Sequence, residues 1–410
     1  MIPLCAIALV AILVLSLGVL TVVPNDPSRH AATSSALAWT YETVDTEGRC
    51  GYSSIAVDSN DKIHISYYDM MNSDLMYATN AEGPWTYYTV DSVGDVGYYT
   101  SIAVDSNNNV HISYYDGTNY ALKYATNAGG SWVNNTVVSG VFYQRGPIAV
   151  DSNSCAHISY YYGYALHYAT NAGGPWANYV VNGGYPWGMG EYNSIAVDSN
   201  DKVHISYHDV NNATVYYATN TNADGSWAFG ALDYIGGGKY TSIAVDSNNK
   251  IHIGYYDYHI NSIKYATNAD GYWVRYVVAG IAEIDIDRTS IAVDSYNNAH
   301  ICYYTYSTGD LMYATNSGGL WKYYTVDSEG DVGWESSIAV DSGDTIYMSY
   351  SDFGDLANEN ESDLTNATLK LAHSTVVIPE FGRTGVVIVT MATVCIVVAL
   401  RRTVAPTKKE

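Results

Sequence analysis

Along residues 39–375, apolar and polar positions alternate in short runs, broken by clusters of Asp, Ser, Asn and Gly. One phrase recurs seven times. Ser-Ile-Ala-Val-Asp-Ser, or a near variant, carries its isoleucine at Ile55, Ile102, Ile148, Ile195, Ile243, Ile291 and Ile338, with neighbouring copies 46 to 48 residues apart. A fixed period of that size marks a repeat architecture, in which each unit buries its apolar face against the next. Each unit parses into four strands. In the second, residues 101–105 form a short apolar strand and 106–109 its turn. Val-His-Ile-Ser-Tyr-Tyr-Asp, 110–116, then alternates with period two. Residues 122–127 make a third strand, and Gly129-Gly130 turn the chain into Trp132 and a fourth strand ending near Val138. Four short antiparallel strands per unit, without helical periodicity, predict an all-β chain built as a seven-bladed β-propeller.

The pattern also predicts how the ring closes. The seventh unit supplies three strands, at 338–341, 346–352 and 369–373, and then runs into an unlike segment. Trp39-Thr40-Tyr41-Glu42-Thr43-Val44-Asp45 matches Trp85-Thr86-Tyr87-Tyr88-Thr89-Val90-Asp91, the fourth strand of the first unit. The N-terminal strand is therefore expected to complete the last blade, leaving no open sheet edge to template aggregation. This bounds the propeller at 39–375.

Two apolar runs flank it. Residues 2–23 carry no charged side chain and lead through Pro24, Asn25, Asp26 and Pro27 to Ala36-Leu37-Ala38. This reads as a signal peptide or an uncleaved N-terminal anchor over 1–38. In 376–410, Pro379-Glu380-Phe381-Gly382 precede an apolar run at 385–400, and Arg401, Arg402, Lys408 and Lys409 follow. As a helix that run spans about 24 Å, against about 30 Å for a hydrocarbon core. The basic tail marks the cytoplasmic side and puts the propeller outside. Pro-Glu-Phe, apolar helix and basic tail together resemble the PEF-type C-terminal sorting signals of archaeal surface proteins. The resemblance covers about the last thirty residues. It implies an archaeal source, processing by an archaeosortase-like enzyme, and replacement of the helix by lipid. An ordinary single-pass anchor predicts the same surface location.

Composition narrows the function. Asp+Glu outnumber Lys+Arg by 41 to 18, a net charge of −23, which excludes a phosphate-tracking nucleic-acid binder. With 48% apolar residues and 42 Tyr, the chain is not intrinsically disordered. Cys50, Cys155 and Cys302 are an odd set without local pairing, so no disulfide framework is expected. Asn134, Asn212, Asn360 and Asn366 open glycosylation sequons.

Third strands ending in Ala-Thr-Asn, then a Gly turn, then Trp, resemble a degenerate Asp-box, the hairpin of sialidase-like propellers. Asn80, Asn127, Asn171, Asn220, Asn268 and Asn316 take the place of the Asp, and Trp85, Trp132, Trp176, Trp227, Trp273 and Trp321 the aromatic place. The phrase Ile-Ala-Val-Asp-Ser-Asn is also similar to the opening of NHL-type propeller repeats. Both likenesses imply fold and not activity.

His64, His111, His157, His204, His252 and His300 share one repeat position, with Tyr347 in the seventh unit. Lying a blade apart, they cannot share a metal, and a hydrogen-bonded polar layer between blades is expected instead. Turns such as Asp58-Ser59-Asn60-Asp61, Asp105-Ser106-Asn107 and Asp246-Ser247-Asn248 begin like calcium loops, but Lys62, Lys202 and Lys250 stand at ligand places and the distal Glu is missing. They are expected to be Asx-turns; no cofactor and no metal site is assigned, with weak Ca2+ binding held in reserve for so acidic a chain. Sialidase chemistry needs clustered arginines, and the propeller has four: Arg49, Arg145, Arg275 and Arg288. No phosphate loop, His-Glu-x-x-His or nucleophile elbow occurs.

The between-blade segments vary most, and in a propeller they line the face where ligands bind. Tyr98, Tyr99, Tyr143, Arg145, Trp187, Tyr240, Arg288, Trp334 and Glu335 are the candidate ligand-binding residues there, aromatic faces beside charged groups that suit sugars or peptides. A long acidic insertion, 354–368, is expected on the same face. The expectation is an exported, surface-anchored propeller that binds a cell-envelope glycan or protein without catalysis. The alternative is a sialidase-like carbohydrate hydrolase, and a third role is spacing or shielding of envelope components.

Overall fold

The computed structural model describes residues 37–46, 50–142, 145–183, 188–220, 226–233, 237–280, 288–354, 367–376, 389–391 and 394–396. The chain divides into Trp39–Thr375 and the two ends together. Seven four-stranded antiparallel sheets make up the first unit, a seven-bladed β-propeller. Blade 1 runs from Cys50–Val57 to Thr86–Asp91, blade 2 from Val96–Val104 to Val133–Ser139 and blade 3 from Ile148–Val150 to Ala177–Gly183. Blade 4 runs from Met189–Val197 to Ala228–Asp233, blade 5 from Gly238–Val245 to Val274–Gly280 and blade 6 from Thr289–Val293 to Lys322–Asp327. Blade 7 takes Val332–Val340, Ile346–Asp352 and Thr368–Val376, and its fourth, outer strand is Leu37–Asp45. The ring closes as the sequence match predicts. Trp39 meets Tyr313 of blade 6 edge-on, just as Trp132 meets Tyr77 one blade earlier.

Second strands are buried on both faces because each blade is sandwiched between two others; Ile63–Asp69 and Val110–Asp116 are buried throughout. The core accordingly lies in the seams. One cluster joins Leu75, Tyr77 and Val90 of blade 1 to Ile102, Ile112 and Tyr114 of blade 2. The aspartate after each first strand forms an Asx-turn: Asp58 Oδ1 accepts the backbone N–H groups of Asn60 and Lys62 at 2.8 and 2.9 Å. The hairpin asparagine accepts the first N–H of the second strand, as Asn127 Oδ1 does from Val110 at 2.7 Å.

The histidines are buried and hydrogen-bonded to a hydroxyl, as expected, but the hydroxyl comes from their own blade and not from the next. His64, His111, His157, His204, His252 and His300 each meet the hydroxyl of a third-strand tyrosine through Nδ1 at 2.5 to 2.7 Å. Nε2 of each lies 3.1 to 3.4 Å from the turn aspartate of the same blade. Alternation along the second strand puts His64 on the face that Tyr77 of the adjoining third strand also presents, so the nearest hydroxyl is intra-blade.

Blades are joined by two belts of small polar groups. Ser Oγ of one first strand accepts the isoleucine N–H of the next, as Ser54 does from Ile102 and Ser337 does from Ile55. On the turn side, Ser59 bonds Asn108 and Ser342 bonds Asp61, the latter across the closing seam.

In the two ends, beyond Leu37, Ala38 and Val376 of the blade 7 strands, the described residues are Val389–Met391 and Val394–Ile396, which pair as a short antiparallel ribbon where the sequence reading expects a helix over 385–400. Val, Thr and Ile there are β-branched, which lowers helix propensity. Among the described residues no helix is long and apolar enough to cross a membrane. The expected signal segment, sorting residues Pro379, Glu380 and Phe381, and insertion 355–366 lie outside the described residues.

Candidate functional site

Three residues ahead of the repeat isoleucines stand Tyr52, Tyr99, Arg145, Tyr192, Tyr240, Arg288 and Glu335. In five blades the first strand bulges here: its register slips between Gly51 and Ser54, Tyr98 and Ser101, Glu191 and Ser194, Lys239 and Ser242, and Trp334 and Ser337. The backbone turns left-handed, with φ of 54°, 52°, 50°, 54° and 51° at Tyr52, Tyr99, Tyr192, Tyr240 and Glu335. A bulky residue in that region stores strain, of order 1–3 kcal/mol, and such strain clusters where a side chain must be aimed. Arg145 and Arg288 hold the same place ahead of the short first strands Ile148–Val150 and Thr289–Val293. One cavity is lined by Tyr99, Arg145, Tyr192, Tyr240 and Arg288 of this ring. Ser54, Ser101, Pro147, Ser194, Ser242, Ser290 and Ser337 also line it, one from each blade, so it is the central channel and the ring surrounds it.

Three blades, two of them adjacent, meet through one carboxylate. Glu335 of blade 7 is 6% exposed. Its Oε1 accepts Arg145 of blade 3 at 2.9 Å and its Oε2 accepts Arg288 of blade 6 at 2.6 Å. The Arg145 guanidinium also lies 5.3 Å over the Tyr99 ring. Tyr52 meets Tyr99 edge-on at 4.8 Å, and Tyr192 meets Tyr240 at 4.5 Å. Burial, then the neighbouring Tyr99 and Glu335, push the Tyr52 hydroxyl well above its ordinary range, so it is a neutral hydrogen-bonding group. The mouth therefore offers tyrosine faces, hydroxyls and guanidinium N–H groups, with both oxygens of its buried glutamate already taken. That composition is chemically suited to polar rings, and Glu335, held by two guanidinium groups, is poorly placed for proton transfer or attack.

Beside the mouth, Tyr98 stacks on Tyr68 at 4.2 Å and donates to Asp95 at 3.2 Å. Trp334 sits among Tyr304, Tyr306 and Phe353, with centroids 5.1 to 5.6 Å away. A second cavity, of about 340 Å³, opens there between blades 7 and 1.

The structure thus brings Tyr99, Arg145, Tyr240, Arg288 and Glu335 into one ring and sets Tyr98 and Trp334 next to it. Tyr143 and Trp187 lie outside the described residues, as do Arg49, Asn360 and Asn366. Asn134 and Asn212 are exposed, their amide nitrogens donating to Val90 O at 3.0 Å and Asp209 Oδ2 at 2.7 Å. Sequence reading missed Tyr52 and Tyr192. The signal was the constant offset from the repeat isoleucine, which holds for all seven ring members. Among the described residues no group of three or more His, Cys, Asp or Glu is placed to hold a metal.

Comparison with known proteins returns the fold. No family model matches the chain, and no characterised protein matches it in sequence. Among solved structures, a mutant of the Aleuria aurantia lectin AAL in complex with Fucα1-6GlcNAc is similar at 12% identity, with a TM-score of 0.50 over 69% of this chain and 98% of that one. A protein from Lactobacillus plantarum is similar at 11% identity, with a TM-score of 0.50 over 78% of this chain and 97% of the other. At such identity the likeness is one of architecture.

Proposed function

We propose that this chain is an exported, surface-anchored propeller that recognises a glycan of the cell envelope at the loop-face mouth of its channel, without catalysis. The observation that carries this is the ring: strained bulges put Tyr99, Tyr192 and Tyr240 on the channel mouth beside Arg145 and Arg288, and Tyr52 and Glu335, in the same strained conformation, on the cavity next to it. Repeated strain at one functional-looking place is what a binding surface needs and a mere spacer does not. Tyrosine faces stack on the apolar faces of sugar rings, and guanidinium N–H groups donate to their hydroxyls. The same architecture serves a lectin solved with a fucosylated disaccharide, which agrees with this use of the fold. Export and anchoring rest on the apolar run at 2–23, the Pro379-Glu380-Phe381 motif and the basic tail.

A second reading, a sialidase-like hydrolase, draws on the convergence of Arg145 and Arg288. It is disfavoured because the carboxylate between them is held by both. The test is a glycan array probed with the detergent-solubilised full chain, with calcium and with chelator, followed by incubation with each retained glycan. Retention without cleavage fits the proposal. Release of a shortened product would replace it with the hydrolase, and an array that retains nothing would overturn it.

A further inference from the structure

The seven seams between blades are not equivalent. At each seam the second strand of one blade presents its penultimate residue, and the next blade presents the residue four ahead of its isoleucine. The first of these positions holds Tyr68, Tyr115, Tyr161, His208, Tyr256 and Tyr304 in blades 1 to 6, all ring-bearing. In blade 7 it holds Ser351. The facing residue in blade 1 is Gly51, where Tyr98 and Trp334 stand in blades 2 and 7. Where both rings are present they fill the seam, as Tyr68 and Tyr98 do at 4.2 Å and Tyr304 and Trp334 at 5.5 Å. Where both are missing, Met70 lies over Gly51 and the space that is left is the cavity of about 340 Å³. A pocket of roughly 300 Å³ or more is the size at which small ligands bind.

Its walls are chemically mixed. Tyr52, Tyr306, Trp334 and Phe353 supply aromatic surface, and Arg145, Asp331 and Glu335 supply polar ends. Phe353 is pinned: its N–H donates to Asp331 O at 3.0 Å, and Asp331 N–H donates to Gly354 O at 2.8 Å. The indole N–H of Trp334 is buried beside the Asp331 carboxylate and the Tyr304 hydroxyl, both of which draw on it, yet it makes no hydrogen bond of full geometry to either. A poorly aligned donor of this kind gains when a ligand hydroxyl accepts from it in line. Asp331 and Glu335 are balanced by Arg145 and by Arg288, which holds the other oxygen of Glu335, so the local charge is near zero and suits a neutral ligand rich in hydroxyls.

We infer that the seam between blades 7 and 1 is a single pocket for one neutral sugar residue, stacked on the Trp334 cluster, with the Trp334 N–H donating to a ring hydroxyl. This rests on the glycan reading above and makes it stricter: one pocket per chain, not one per repeat. The full chain should be titrated calorimetrically with methyl glycosides of glucose, galactose, mannose, fucose and N-acetylglucosamine, and with glucuronic and N-acetylneuraminic acids. One of the neutral glycosides binds with a stoichiometry of one, and the acids do not bind. Trp334→Phe keeps the ring, removes the donor and weakens binding about five- to tenfold. Tyr306→Ala, at a residue 39% exposed, weakens it without threatening the fold. Tyr323→Ala, 63% exposed on the outer strand of blade 6, leaves it unchanged. Thermal melts of all three confirm folding. Wild-type affinity in both Trp334→Phe and Tyr306→Ala, several sites per chain, or tighter binding of the acids would overturn the pocket assignment. A glycan array that retains ligands while no methyl glycoside binds would also overturn it and leave the broader glycan reading standing. Silence in both would end the two together.

Discussion

Glu335 is the residue on which the mouth depends. Its two guanidinium partners come from blades 3 and 6, so its charge holds together side chains that the chain otherwise keeps 190 and 47 positions away. Glu335→Gln removes that charge and leaves two arginines facing each other across the channel. Breaking a buried pair costs about 3–5 kcal/mol. Here Arg145 and Arg288 are 25% and 20% exposed, so a discounted loss of about 1–3 kcal/mol is expected. Urea denaturation measures it, and an unchanged midpoint would show that the triad is incidental. These residues were legible one at a time, as variable and charged members of the between-blade segments. Their convergence was not, because sequence spacing carries no information on which blades face each other across a ring. Nor does composition reveal a left-handed tyrosine: Tyr52 and Tyr192 look like strand residues until the bulge is seen.

At the scale of the strand and blade, the repeated Asp–His–Tyr arrangement sets the response to acid. Burial holds His64, His111, His157, His204, His252 and His300 below the ordinary histidine value of 6.5 and outweighs the turn aspartate beside each. His167 follows the same direction, and burial takes His208 down to about 4. The unfolded chain therefore binds more protons than the folded one below about pH 6.5, and stability falls as pH drops through that value. At lower pH the turn carboxylates add to the loss. Burial alone would raise Asp58 and Asp294, but their hydrogen bonds to turn N–H groups and to histidine outweigh it and lower them. Urea midpoints measured from pH 8 to pH 5 should decline steadily. A flat or rising series would mean that the histidines are charged in the folded state. The strands and their order were readable from period-two alternation and the turn residues. That the histidines meet a hydroxyl was readable too; that it comes from the same blade was not, because the face a residue occupies does not say which neighbour presents the nearer hydroxyl.

For the whole molecule, closure is the weak point of a ring made of near-identical units, since each blade packs mainly against its two neighbours. The outer strand of blade 7 comes from the far end of the chain and brings specific ties: Tyr67 donates to Asp45 at 2.5 Å, Trp85 to Glu42 at 2.7 Å and Tyr87 to Val44 O at 2.6 Å. Deleting residues 1–45 removes all of them and exposes Thr368–Val376 as an edge. The truncated protein should self-associate and lose its single cooperative transition, read by light scattering and thermal melting. A monomer that melts like the full chain would contradict the closure. That closure was visible beforehand in the match of residues 39–45 to 85–91, since a missing strand and a spare one are countable in a repeat. The open seam at Ser351 and Gly51 was equally present in the repeat alignment, but its meaning depends on knowing that those two positions face each other.

The most direct test of glycan recognition at the mouth is a glycan array run side by side with the wild-type chain and with Arg145→Ala/Tyr240→Ala, both shown to be folded by melting. The wild type should retain a defined set of glycans, and the double variant should lose them. Retention of the same set by both would place recognition elsewhere, and no retention by the wild type would contradict glycan binding itself.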